Sequence, residues 1–173
     1  MMSMEIYSSI ETGFRMIRKV LTMPELVRPN QEVTLSDQCY RFENVSFSYE
    51  KGIEVLHDIN FEVKPNSVFA IVGESGSGKS TIAKLMAGFF DADNGRIYFG
   101  NQDVKSIPTS QLMKHVAYVA QDNFLFDTSI RENLKIAKAD ATDEEIQAAL
   151  KAANCLELIE RLPEGLNSNA GDC

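Results

Sequence analysis

The stretch GESGSGKST, residues 73–81, carries the residue types that hold phosphate groups. Gly73, Gly78, Lys79 and Ser80 complete the pattern G-x-x-x-x-G-K-[ST]. Gly76 and Gly78 admit backbone conformations that a side chain would forbid, so main-chain N–H groups can turn inward as an anion nest. A helix opening near Lys79 would add its positive end to that nest. Lys79 is expected to reach the β- and γ-phosphates, Ser80 to ligate Mg2+ through its hydroxyl, and Thr81 to donate to the α-phosphate. Glu74, Ser75 and Ser77 complete the loop and belong to the same candidate ATP site.

Such a loop needs a strand to deliver it and a helix to leave it. SVFAIV, residues 67–72, is almost continuously apolar, which predicts a strand covered on both faces. Ile82, Leu85 and Met86 follow at helical spacing, and Gly88 suits the end of that helix. Upstream, Val45, Phe47 and Tyr49 alternate with Asn44, Ser46 and Ser48. After a turn at residues 50–52, alternation resumes with Ile53, Val55, Ile59, Phe61 and Val63. This pattern predicts an antiparallel hairpin with one wet face. GRIYFG (95–100) and VAYVA (116–120) read as further strands. Beyond Gln121 the chain becomes helical, with capping boxes expected at Ser129 with Glu132 and at Thr142 with Glu145.

Ahead of the hairpin, Ile6, Ile10, Phe14, Ile17 and Leu21 place one apolar stripe along a helix. Pro24 and Pro29 end it, and residues 24–38 read as a linker. The expected organisation is therefore a helix over 1–23, a linker over 24–38 and the main domain over 39–173. Its helical part begins near residue 129. The fold class is α/β, a P-loop core with an antiparallel β subdomain and the start of a helical subdomain.

Composition narrows the function classes. With 44% apolar residues the 173-residue chain can bury a core. A net charge of −8 argues against a general nucleic-acid binder, whose footprint is basic. It leaves room for one phosphate cradle. Three cysteines, Cys39, Cys155 and Cys173, share no metal spacing and read as reduced thiols. No run of the sequence is apolar enough to cross a bilayer, and no signal peptide is read at the start.

The order of motifs resembles the nucleotide-binding domain of ATP-binding-cassette (ABC) transporters over nearly the whole chain. GESGSGKST is similar to the family's Walker A motif. FENVSFSYE (42–50) looks like its opening strand, which implies that Tyr49 stacks on adenine, with Val55 packing near the base. YVAQDNFLFDTSIRENL (118–134) is similar to its glutamine loop. The resemblance implies that Gln121 approaches Mg2+ and the attacking water, and that Phe124, Leu125 and Phe126 lie where the transmembrane part docks. LPEGL (162–166) resembles the segment shortly before the signature sequence. The leading helix, ending LTMPEL (21–26), looks like the cytosolic end of an exporter's last membrane helix. The implied partners are a transmembrane domain and a second nucleotide-binding domain, at the cytoplasmic face of a membrane.

The family's LSGGQ signature, its Walker B acidic pair and its switch histidine have no counterpart in these residues. The expectation is that this polypeptide alone binds ATP with negligible hydrolysis, as a piece of a longer transporter or a truncated product. Strands without neighbours would also invite self-association. Two other readings compete. One is a self-contained P-loop kinase or NTPase in which VAYVAQD (116–122) delivers Asp122 to Mg2+. The other is a non-catalytic regulatory fragment that pairs with a transporter through its leading helix.

Overall fold

The computed structural model describes residues 2–22 and 26–170, the side chains of 2–10 and 19 excepted. Pro24, Cys173, Ile6 and Ile10 thus lie wholly or by side chain outside the described residues. The chain divides into two compact units, Met1–Tyr118 and Val119–Cys173.

In the first unit the leading helix α1 spans Met2–Leu21. Phe14, Ile17 and Leu21 of its apolar stripe are exposed. The hairpin forms as the alternation predicts, with β1 at Tyr40–Glu50 and β2 at Ile53–Val63 paired antiparallel. β3 (Asn94–Phe99) joins the other edge of β1, and the short β4 (Gln102–Asp103) pairs with β3, giving the order β2-β1-β3-β4. Helix α2 (Lys79–Met86) and helix α3 (Thr109–His115) supply Ile82, Leu85 and Leu112 to the core. There they meet Phe42, Val45, Phe47, Ile97 and Phe99 of the sheet.

One detail of the alternation differs. Ile53 is exposed and Val55 only half-buried, whereas Leu56 is 2% exposed and faces Phe47 across the hairpin. The register shifts between Val45 and Phe47, where β2 carries an extra residue, and Asp58 adopts a positive φ of 44°. A bulge of this kind moves the side chains before it to the opposite face.

α2 ends as Gly88 suggests. Its C-cap is Ala87, and Gly88 follows at φ 72°. Gly88 N donates to Leu85 O at 3.0 Å and Phe89 N to Lys84 O at 3.0 Å, the paired bonds of a Schellman motif. Tyr40 ties this end of the helix to the sheet by donating its hydroxyl to Met86 O at 2.9 Å, and burial pushes its phenol pKa up.

Two expected strands do not form. Residues 67–72 and 116–120 carry no strand, and Val68, Val72 and Val119 are exposed. Ile71 and Val116 pack against the core as partly buried side chains, and Phe69 stacks on Phe61 with ring centroids 5.1 Å apart. The reason is that a strand is a property of a pair. Among the described residues no neighbouring backbone bonds to either segment as a ladder.

The second unit is helical: α4 (Ile130–Lys135), α5 (Asp143–Ala152), α6 (Leu156–Glu160) and a 3₁₀ turn at Gly165–Asn167. Ile146, Leu150 and Ile159 form its core. Its ends are stitched together, because Ile130 N donates to Ser168 O at 3.0 Å and Ala170 N to Thr128 O at 2.9 Å. The capping box at Thr142 and Glu145 is complete. At Ser129 only half forms, with the Ser129 hydroxyl accepting from Glu132 N.

Candidate functional site: a phosphate loop beside an aromatic platform

The loop from Gly73 leads directly into α2, as its residue types require. Gly76 and Gly78 adopt φ values of 83° and 87°. At Gly78 a Cβ would lie 2.5 Å from Leu56 Cδ2 and 3.3 Å from Val55 O. The glycine is therefore needed twice, once for its backbone and once for the hairpin against it. Gly73 is fixed in another way, since a Cβ there would meet Ser77 Oγ at 2.7 Å. Leu56, on the face that simple alternation leaves wet, thus lies beside the loop.

Lys79 folds over the loop. Its Nζ donates to Gly73 O at 2.9 Å, to Glu74 O at 2.6 Å and to Ser77 Oγ at 3.5 Å. The ammonium is thus held at the loop by weakly competing carbonyls that a more basic anion could replace. Glu74, Ser75, Gly76 and Ser77 are open to solvent. The Ser80 hydroxyl is exposed and holds no hydrogen bond among the described residues. A free hydroxyl at the first turn of α2 fits a ligand for Mg2+. No acidic residue occupies that first turn, so nothing offsets the helix's positive end.

Tyr49 stands beside this loop, 46% exposed at the end of β1. Its hydroxyl lies 3.2 Å from Thr81 Oγ1. Its ring meets Phe47 edge-on at 4.9 Å and Phe90 edge-on at 5.2 Å, while Lys84 Nζ sits 5.8 Å from its centroid. The result is a partly exposed aromatic surface tied to the phosphate loop, suited to a flat base. Val55 contributes its carbonyl beside Gly78 and a half-buried side chain. The structure thus brings together Tyr49, Val55 and residues 73–81 of the expected site.

Gln121 and Asp122 belong to the second unit, exposed in a stretch without helix or strand. Phe124, Leu125 and Phe126 are exposed there too. Asn133 brackets Phe126, accepting from its N–H at 2.8 Å and donating to its carbonyl at 3.0 Å. Sequence reasoning passed over Phe90, Leu56, Asp93 and Arg28, which hold the platform and loop from behind. None shares a repeating interval with the motif, so no pattern pointed to them.

Comparisons with known proteins identify the family and the fold. The ABC transporter family model matches residues 56–168, more than half of the chain. The heavy metal tolerance protein of Schizosaccharomyces pombe is 45% identical over 76% of this chain and 16% of its own length. The mycobactin import ATP-binding/permease protein IrtA of Mycolicibacterium smegmatis is 42% identical over 75% of this chain and 15% of its own. The structure of a bacterial Atm1-family ABC exporter with ATP bound superposes with a TM-score of 0.81 at 34% identity. It covers 95% of this chain and 29% of that one. The chain therefore spans less than a quarter of the length of these relatives, and about three tenths of that exporter. The match displaces the self-contained kinase reading, for which residues 116–120 would have to be a strand delivering Asp122. With a P-loop running into α2, an aromatic platform beside it and sequence identity across both units, the chain belongs to the ABC transporter family, within its ATP-binding domain.

Proposed function

We propose that this chain binds MgATP as the nucleotide-binding module of an ABC transporter, with the adenine on Tyr49 and the phosphates in the loop of residues 73–81. The observation that carries the reading is the Tyr49 hydroxyl bonded to Thr81, which joins a base platform to a phosphate cradle. Val55 flanks the base. The inward N–H groups of the loop and the start of α2 hold the phosphate charge. Lys79 exchanges its bonds to Gly73 O and Glu74 O for phosphate oxygens. Ser80, with its free hydroxyl at the first turn of α2, is the residue of the loop that would hold Mg2+. The metal supplies charge neutralisation at the β- and γ-phosphates. Within a longer polypeptide, Phe124–Phe126 would dock a transmembrane domain at the cytoplasmic face, and a second nucleotide-binding domain would close over the site to drive export.

Residues 1–173 alone position the nucleotide without aiming a water at it. They therefore bind ATP with negligible turnover. Calorimetric titration of MgATP into the full chain tests this. Lys79→Ala is expected to weaken binding about 10- to 100-fold, the loss of one charge-assisted contact. Steady-state phosphate release should stay at background for both proteins. Absent uptake by the unmodified chain, or turnover that Lys79→Ala abolishes, would overturn the reading.

A further inference from the structure

Residues 26–36 are fastened to the first unit by specific polar contacts. Gln111, itself buried, accepts from Val33 N at 3.0 Å and donates to Val33 O at 2.6 Å. Arg28 grips Asp91 in a two-pronged pair, Nη2 to Oδ1 at 2.7 Å and Nη1 to Oδ2 at 3.1 Å. The Arg28 side chain is only 7% exposed. A guanidinium buried to this degree needs its partner, and the planar fork fixes the carboxylate's orientation as well as its position.

What the fork fixes is the back of the platform. Phe90, next to Asp91, meets Tyr49 edge-on at 5.2 Å and Phe47 at 5.5 Å. Two residues beyond Asp91, the Asp93 carboxylate accepts from Ser48 N at 2.7 Å, and Asp93 N donates to Ser46 O at 3.0 Å. The segment 90–93 therefore holds the tyrosine twice, through its ring and through the strand that carries it. Arg28 anchors that segment from the other side.

We infer that Arg28 is a positioning residue for base recognition. Through Asp91 it sets the segment 90–93 that orients Tyr49, so the strap ahead of the domain selects for the adenine end of the nucleotide and not for its phosphates. The inference rests on the proposed ATP site and adds a specificity-determining pair to it. Among the described residues Arg28 pairs with Asp91 and forms no hydrogen bond or ion pair with the phosphate loop, so its effect should separate the two halves of the ligand.

The experiment compares MgATP with magnesium tripolyphosphate, which carries the phosphates without the base, on the full chain. Arg28→Gln is expected to weaken MgATP about 2- to 30-fold, the usual range for a contact acting through others, with tripolyphosphate held within about twofold. Arg28→Lys keeps the charge and loses the fork, so a smaller loss of the same selectivity is expected even if Arg28→Gln folds poorly. Phe90→Leu should reproduce the pattern from the platform side. Equal weakening of both ligands, or no change in either for Arg28→Lys and Phe90→Leu, would overturn the inference. If Tyr49→Ala leaves the preference for ATP over tripolyphosphate intact, the base-platform reading itself fails and takes this one with it.

Discussion

Gly76 and Gly78 have nearly the same backbone, and the surroundings of each separate what a side chain would cost. Both sit at positive φ, where an L-residue is strained by about 1–2 kcal/mol. Around Gly76 a Cβ would meet nothing within 4 Å, whereas at Gly78 it would strike Leu56 Cδ2 at 2.5 Å. Gly76→Ala should therefore cost about 1–2 kcal/mol. Gly78→Ala should cost about 2–4 kcal/mol, because Leu56 is buried in the core and overpacking is added to strain. Urea unfolding of both variants measures the difference. Equal costs would mean that the loop relaxes away from the hairpin, and Leu56 would then not brace it.

The elements that the sequence made legible are those whose signals are local. The hairpin follows from alternation, and Gly88 marks the end of α2 because only a few neighbouring residues define a Schellman turn. Thr142 and Glu145 announce α5 for the same reason. The Thr142 hydroxyl accepts from Glu145 N at 3.3 Å, and Thr142 N donates to the Glu145 carboxylate at 3.0 Å. Residues 67–72 form no strand, although their apolar run predicts one, because a strand depends on a distant backbone. The phase of β2 departs from simple alternation because the bulge at Asp58 has no signature in the residues before it. Arg28 with Asp91 joins two segments remote in sequence, which no interval could reveal. The local motif also gives a pH dependence. A hydrogen bond from Lys138, and then the Thr142 backbone, holds the Glu145 carboxyl below its ordinary value of 4.5. Its folded pKa is depressed, so its contribution is complete above that ordinary value and disappears as pH falls through the folded one. Helicity by circular dichroism should thus decline below about pH 4.5, and Glu145→Gln should flatten that part of the decline. Thr142→Ala should cost about 1 kcal/mol at neutral pH.

At the scale of the molecule, two apolar segments of the first unit stay exposed. Val68, Phe69 and Val72 run exposed into the loop, and Phe14, Ile17 and Leu21 line a face of α1. Among the described residues no helix is long and apolar enough to cross a membrane. The two patches make different demands. The extended segment 67–72 presents backbone N–H and C=O groups as well as side chains, a template for another strand. The face of α1 offers only side chains, so what covers it is apolar area. Self-association through the first should be relieved by a single charge at Val68, which contacts no core and whose replacement should leave stability within about 0.5 kcal/mol. The expected result in sedimentation is a weight-average mass that rises with concentration for the unmodified chain and falls towards the monomer for Val68→Lys. Should Val68→Lys leave the association untouched while Phe14→Asp removes it, the helix face is the adhesive one. The exposed run before the phosphate loop would then be sealed within the monomer in solution.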